Sequence, residues 1–216
     1  MDGTLVDTEP LWGVATYELA EKLGRALTPE VRELTVGGSF ANTLRICAAH
    51  AGYALRDGDY ARYRAWMYAR MAQLLSGNLE PNPGVSTLLE SLHSAGMRML
   101  VTTNTERELA DACIDAVGRG YFLGSITGDE VARPKPSPDM YLEAARRVGE
   151  RPADCLVFED SWAGMSAAAE AGCTVLGLAA EVPDGVVAFD PGRFVGADAG
   201  DVASWFGNAR VANAIE

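Results

Sequence analysis

Glu159 and Asp160 stand side by side at the end of the apolar run Cys155-Leu156-Val157-Phe158. Two neighbouring carboxylates at the mouth of a buried strand repel each other and lose hydration, and a cation in the site relieves both. No histidine or thiolate cluster accompanies them, so an oxygen-only donor set favours Mg²⁺ over zinc. For this pair alone, a solvated acidic loop or helix cap is the plain alternative. Lys135 lies in Arg133-Pro134-Lys135-Pro136-Ser137-Pro138-Asp139, where three prolines stiffen the backbone around one long cation. Ser137 is expected to cap the helix that follows, with Pro138 in its first turn and Asp139 near the positive dipole end. Thr103 closes another apolar run and is followed by Asn104-Thr105, which we expect at a helix start. A hydroxyl and free backbone N–H groups there would suit an anion, or would simply cap the helix. Asp2-Gly3-Thr4, taken alone, is a turn.

These residues need a scaffold that brings them together. From Leu11 to about Gly77 the pattern is helical and broken by turns: Val14, Tyr17, Leu19, Ala20 and Leu23 recur at helix spacing, and Gly24 is placed as a stop. Thr28-Pro29-Glu30 predicts a helix start, and further helices are expected over Phe40–Ala51 and Tyr60–Leu75. After Asn78-Leu79-Glu80-Pro81-Asn82-Pro83-Gly84 the texture changes. Short apolar runs at Arg98–Thr103, Cys155–Asp160 and Thr174–Leu178 alternate with amphipathic helices at Val85–Ala95, Glu106–Val117, Pro138–Val148 and Ala163–Ala171. That alternation predicts βαβ units and a parallel sheet covered on both faces, with ligands at the carboxyl ends of the strands. Thr103, Glu159 and Asp160 fall at such ends. A last helix is expected through Trp205 and Phe206.

A chain of 216 residues can bury one substantial core and a smaller attached unit. The formal charge of -12 argues against nucleic acid or an anionic membrane as a partner, yet a metal ion and one lysine can reverse the sign locally for a small phosphorylated ligand. Cys47, Cys113, Cys155 and Cys173 are widely spaced, and neither His50 nor His93 has a metal-ligand partner nearby. Four reduced cysteines in a cytoplasmic protein are expected. The start lacks the basic region of a signal peptide, and no apolar run has membrane-spanning length. The oligomeric expectation is a monomer.

In this order the segments Asp2–Glu9, Thr103-Asn104, Lys135 and Glu159-Asp160 resemble the motif set of the haloacid dehalogenase (HAD) superfamily. The resemblance covers essentially the whole chain. It implies an α/β fold: a Rossmann-like parallel core from residues 1–10 and 80–216, with a small all-helical C1 cap from residues 11–79 inserted after the first motif. It implies that Asp2 is the general acid/base and lends a backbone carbonyl to Mg²⁺. Thr103 and Asn104 would bind the phosphoryl group, Lys135 would bridge phosphate and nucleophile, and Glu159 and Asp160 would hold the metal.

Asp7-Thr8-Glu9-Pro10-Leu11-Trp12 and Val36-Gly37-Gly38-Ser39-Phe40 resemble the hinge and specificity loop of the β-phosphoglucomutase-like branch. Glu9, Trp12, Gly37, Gly38 and Ser39 are therefore candidate substrate contacts. Trp12 could stack on a sugar ring or pack between cap and core, and Gly37-Gly38 could simply turn the chain. Mutases of that branch carry histidine where Trp12 stands and arginine where Phe40 stands, so the resemblance implies a hydrolase, here of a sugar or polyol phosphate. A dehalogenase is disfavoured, because such enzymes use no Mg²⁺ and need no Asp2 as acid/base, yet this chain retains Asp2 and the Glu159-Asp160 pair.

The family's nucleophilic aspartate would fall one position before Met1. Three explanations stand open: a start placed too late, a short form without catalysis that binds metal, phosphate or a partner, or a substitute carboxylate such as Asp7. The lost strand would be central in the sheet, so this chain alone is expected to be poorly stable.

Overall fold

The structure is a computed structural model that describes residues 1–77 and 79–213. Asn78 of the linker, and the last three positions of the expected core, lie outside the described residues.

Residues 1–6 form a tight turn, in which Leu5 N donates to Met1 O at 2.8 Å and Gly3 N to Val6 O at 2.8 Å. A helical layer follows, made of α1 (Glu9–Lys22), α2 (Pro29–Glu33), α3 (Phe40–Ala51) and α4 (Asp59–Leu75). The first helix begins two residues before the expected Leu11, because Pro10 fits a first helical turn and Glu9 sits favourably at the positive dipole end. Leu19, Leu44, Met67 and Met71 are buried between these helices, so the layer has an apolar interior of its own.

The remainder alternates helices and strands: α5 (Val85–Ser94), β1 (Leu100–Thr102), α6 (Arg107–Val117), β2 (Gly124–Ile126), α7 (Asp139–Val148), β3 (Leu156–Glu159), α8 (Trp162–Glu170), β4 (Thr174–Gly177), β5 (Val186–Ala188) and α9 (Ala199–Asn213). Among the described residues these strands pair in parallel, in two sets, β1-β2 and β3-β4-β5. Leu156, Phe158 and Leu176 pack into one apolar cluster, whereas Val157 and Val175 pack into another, as the two-residue period of a strand demands. On the first face Phe158 meets Phe194, Phe189 and Trp205 with ring centroids 5.2, 5.7 and 6.4 Å away. On the other face α8 lays Met165, Ala167 and Ala168 against β4.

The structure corrects three local expectations. Ser137 does not cap α7: the cap position is Pro138, and the Ser137 hydroxyl donates instead to Asp139 Oδ1 at 3.0 Å. Asn104-Thr105 do not open a helix, since α6 begins only at Arg107, after Glu106 in extended conformation. Strands β2 and β5 were absent from the sequence pattern, each being three residues long. No described helix is long and apolar enough to cross a membrane.

Candidate active site

The carboxyl ends of β1 and β3, the first turn of the chain and the loop before α7 meet below the helical layer. A cavity of about 80 Å³ lies there, lined on one side by Asp2, Thr103, Lys135, Glu159 and Asp160, and on the other by Trp12, Arg32, Phe40, Met67 and Tyr68. Residues separated by more than a hundred positions are thus brought to one rim.

Asp2 is the hub. Thr8 Oγ1 (2.5 Å) and Trp12 Nε1 (3.2 Å) donate to its Oδ1, and Thr105 Oγ1 (2.9 Å) and Thr103 Oγ1 (3.2 Å) donate to its Oδ2. Burial pushes the Asp2 carboxyl up, but the charge of the Met1 amino group and the bonds from Thr8, Thr105 and Trp12 outweigh it, leaving the group below its usual range. Thr8 and Thr105 were missed in the sequence, although Thr8 lies inside the first motif.

Lys135 leaves its proline-rich loop, where the Lys135–Pro136 bond is cis, and enters the protein interior. Its ammonium donates to Thr102 O at 3.1 Å and to Glu159 Oε1, and lies 5.0 Å from the Tyr141 ring centroid. Burial opposes its charge, yet Glu159 more than offsets that and raises the lysine above its usual range.

Glu159 is fully engaged. Oε1 accepts from Lys135 and from Tyr141 Oη (2.9 Å), while Oε2 accepts from Ser161 N (3.2 Å) and Ser161 Oγ (3.0 Å). In this arrangement its carboxylate lines the cavity while fixing the lysine. Asp160 differs: among the described side chains the Thr4 hydroxyl, 2.8 Å from Oδ1, donates to it. Burial and the adjacent Glu159 raise its carboxyl above the usual range. Gly3, at φ +67°, lets the backbone pass directly against the Asp160 carboxylate, where any Cβ would collide with it.

The expected substrate contacts divide. Glu9, Trp12, Gly37 and Gly38 line the cavity, and the Asn104 side chain joins two loops at its edge. Asn104 Nδ2 donates to Gly37 O and to Lys135 O, both at 3.0 Å, and Oδ1 accepts from Lys135 N at 2.9 Å, so its amide acts as a clamp. Ser39 is not among the residues lining the cavity; its hydroxyl accepts from Asn42 N at 3.3 Å and caps α3, a role that its place just before a helix dictates. Arg32, unremarked in the sequence because one arginine on a short helix looks solvated, pairs with Glu9 inside the cavity. Among the described residues no three acidic, histidine or cysteine side chains converge on one point.

The chain resembles known proteins along most of its length. The family model of haloacid dehalogenase-like hydrolases matches residues 1–172. Fructose-1-phosphate phosphatase YqaB of Escherichia coli K12 is 34% identical over 174 residues, spanning 80% of this chain and 89% of that one. A phosphorylated carbohydrates phosphatase of Thermotoga maritima is 29% identical over 194 residues, spanning 89% and 88%. Among solved structures, CbbY from Rhodobacter sphaeroides in complex with phosphate superposes with a TM-score of 0.71 at 28% identity, covering 82% of each chain. A match of that extent, carried by a fold that gathers its motif residues at one rim, establishes that the chain belongs to the haloacid dehalogenase-like hydrolases.

Proposed function

We propose that this phosphoric monoester hydrolase removes the phosphate from a small phosphorylated metabolite, a sugar or polyol phosphate, with Mg²⁺ as cofactor and through an aspartyl-phosphate. The observation that carries the proposal is the shared cavity of Asp2, Thr103, Lys135 and Asp160. The relatives named for fructose 1-phosphate and phosphorylated carbohydrates support the substrate class. In this reading residues 1–10 and 80–216 are the catalytic core, and residues 11–79 are the cap that encloses the substrate.

The donor set fits Mg²⁺. Asp160 is a half-buried carboxylate with the Thr4 hydroxyl as side-chain donor and a like charge beside it, a state that a cation relieves. Asp160 and the backbone carbonyl of Asp2 would hold the ion, and few protein ligands are what Mg²⁺ commonly takes. Bound there, it would supply positive charge to a phosphoryl oxygen. Glu159 would act through Lys135, which keeps a proton free for a second phosphoryl oxygen. The Thr103 hydroxyl would serve a third.

The nucleophile would be an aspartate directly before Met1. Its carboxylate oxygen bonds to phosphorus as the ester P–O bond breaks, and Asp2 gives its proton to the leaving oxygen. Asp2, now a carboxylate, takes a proton from water as that water attacks phosphorus and the acyl P–O bond breaks. A nucleophilic carboxylate beside Asp2 would raise its pKa and so favour the proton it must donate. Four unpaired cysteines suit the reducing cytoplasm as the place of work.

The test is p-nitrophenyl phosphate hydrolysis by the chain extended upstream with an apolar strand ending in aspartate. Turnover that EDTA removes supports the reading. Absence of turnover favours the competing one, a catalytically inactive protein that binds metal or phosphate.

A further inference from the structure

The cavity wall opposite the phosphate-binding residues carries a second polar cluster. Arg32, on α2, has a side chain only 11% exposed, and its partner Glu9, at the start of α1, is 37% exposed. Arg32 Nη2 donates to Glu9 Oε1, and Nη1 donates to Thr35 Oγ1 at 2.8 Å. Arg32, Glu9 and Thr35 all line the cavity, between the aromatic walls of Trp12 and Phe40. The guanidinium lies along Gly13, where an added Cβ would sit 3.8 Å from Nε, so the helix leaves space for it. Burial raises the Glu9 carboxyl, Arg32 opposes this, and Asp160 and Asp2 reinforce it, which puts the pair within reach of the phosphate-site charges.

Charge decides what such a pair recognises. The cavity presents the acids Asp2, Glu9, Glu159 and Asp160 and the cations Lys135 and Arg32. A divalent ion balances those side chains, so they offer a second anion no surplus positive charge, and Glu9 would repel one. Hydroxyl groups donate and accept at once, so they match an arginine, a carboxylate and a threonine hydroxyl side by side. Flanking aromatic rings suit the C–H faces of a carbon skeleton.

We infer that Arg32 and Glu9 together read the end of the substrate remote from the phosphate, and that this end is an uncharged polyhydroxy group, which makes the substrate a monophosphate. The inference rests on the phosphatase reading for the placement of the phosphate.

Calorimetric binding in the presence of Mg²⁺ tests it with three probes: sorbitol 6-phosphate, inorganic phosphate and fructose 1,6-bisphosphate. The unaltered chain binds sorbitol 6-phosphate more tightly than the bisphosphate. Arg32→Gln weakens sorbitol 6-phosphate about tenfold relative to inorganic phosphate, as loss of a charged hydrogen bond predicts. Glu9→Gln narrows the gap between mono- and bisphosphate. Tighter binding of the bisphosphate by the unaltered chain, or equal weakening of sorbitol 6-phosphate and inorganic phosphate by Arg32→Gln, overturns the inference. The first comparison needs no variant, so misfolding of a mutant does not shield it. The two readings fail separately: an extended chain that turns over no p-nitrophenyl phosphate while the Arg32 effect persists removes the phosphatase reading alone.

Discussion

Lys135 and Glu159 form an ion pair at the floor of the cavity, with the two residues only 6% and 4% exposed. The pair joins the loop before α7 to the end of β3, and the lysine also donates to the last carbonyl of β1. It therefore holds together two strand sets that share no described strand pairing.

Removing one member leaves the other charged and buried. Lys135→Met is expected to destabilise the fold by roughly 3–5 kcal/mol. Lys135→Met with Glu159→Gln should recover a large part of that loss. Urea denaturation of the variants measures both, and a single substitution as stable as the parent would contradict the arrangement.

Asn104 ties the loop of the helical layer to the lysine loop through Gly37 O and both backbone groups of Lys135. Asn104→Ala should cost about 2 kcal/mol, since the Lys135 N–H loses its acceptor inside the protein. It should also speed proteolytic cleavage within residues 34–40. Cleavage at the parental rate would mean that the clamp does not hold the loop.

Gly37 and Gly24 both have positive φ, at +66° and +107°, but different surroundings. A Cβ on Gly37 overlaps the Ser161 side chain, whereas a Cβ on Gly24 meets nothing within 4 Å. Gly24→Ala is expected to lose only the backbone term, about 1 kcal/mol. Gly37→Ala should lower the melting temperature further and weaken phosphate binding as well, because the loop must lift from the cavity rim. Equal melting temperatures for the two variants would show that the contact with Ser161 is not made.

The cysteines differ in reactivity. Burial pushes the Cys47 thiol up to about 11 and those of Cys113 and Cys173 to about 12, while Cys155 is the one not fully buried. Burial raises the Cys155 thiol as well, but Cys155 alone is partly exposed and so within reach of reagent. Ellman's reagent should therefore label Cys155 first, and the other three only as the protein unfolds. Rapid labelling of all four in the native protein would contradict the described core.

Several of these relationships were visible in the sequence and several were not. The runs that became β3 and β4 were legible because buried parallel strands are apolar throughout, and Lys135 stood out because prolines isolate it. Gly124–Ile126 carried too few residues for any periodicity to register. Asn104 shows no sign of being a clamp, because its three partners come from loops distant in sequence. Arg32 and Tyr141 both sit on helices where they look like ordinary surface and core residues; their roles follow only from which carboxylate the fold sets against each. The direction of Glu159 was likewise hidden, since an adjacent Glu-Asp pair gives no hint that one of them turns to a lysine.

Asp160, Lys135 and Thr103 are proposed to hold a divalent cation and a phosphoryl group together at one rim. Calorimetric titration of the chain with inorganic phosphate, with and without Mg²⁺, tests it most directly. Mg²⁺ is expected to tighten phosphate binding by about tenfold or more, the size of a typical allosteric coupling, and Asp160→Asn to remove the enhancement. Phosphate affinity that is the same with and without Mg²⁺, or an enhancement that survives Asp160→Asn, would contradict it.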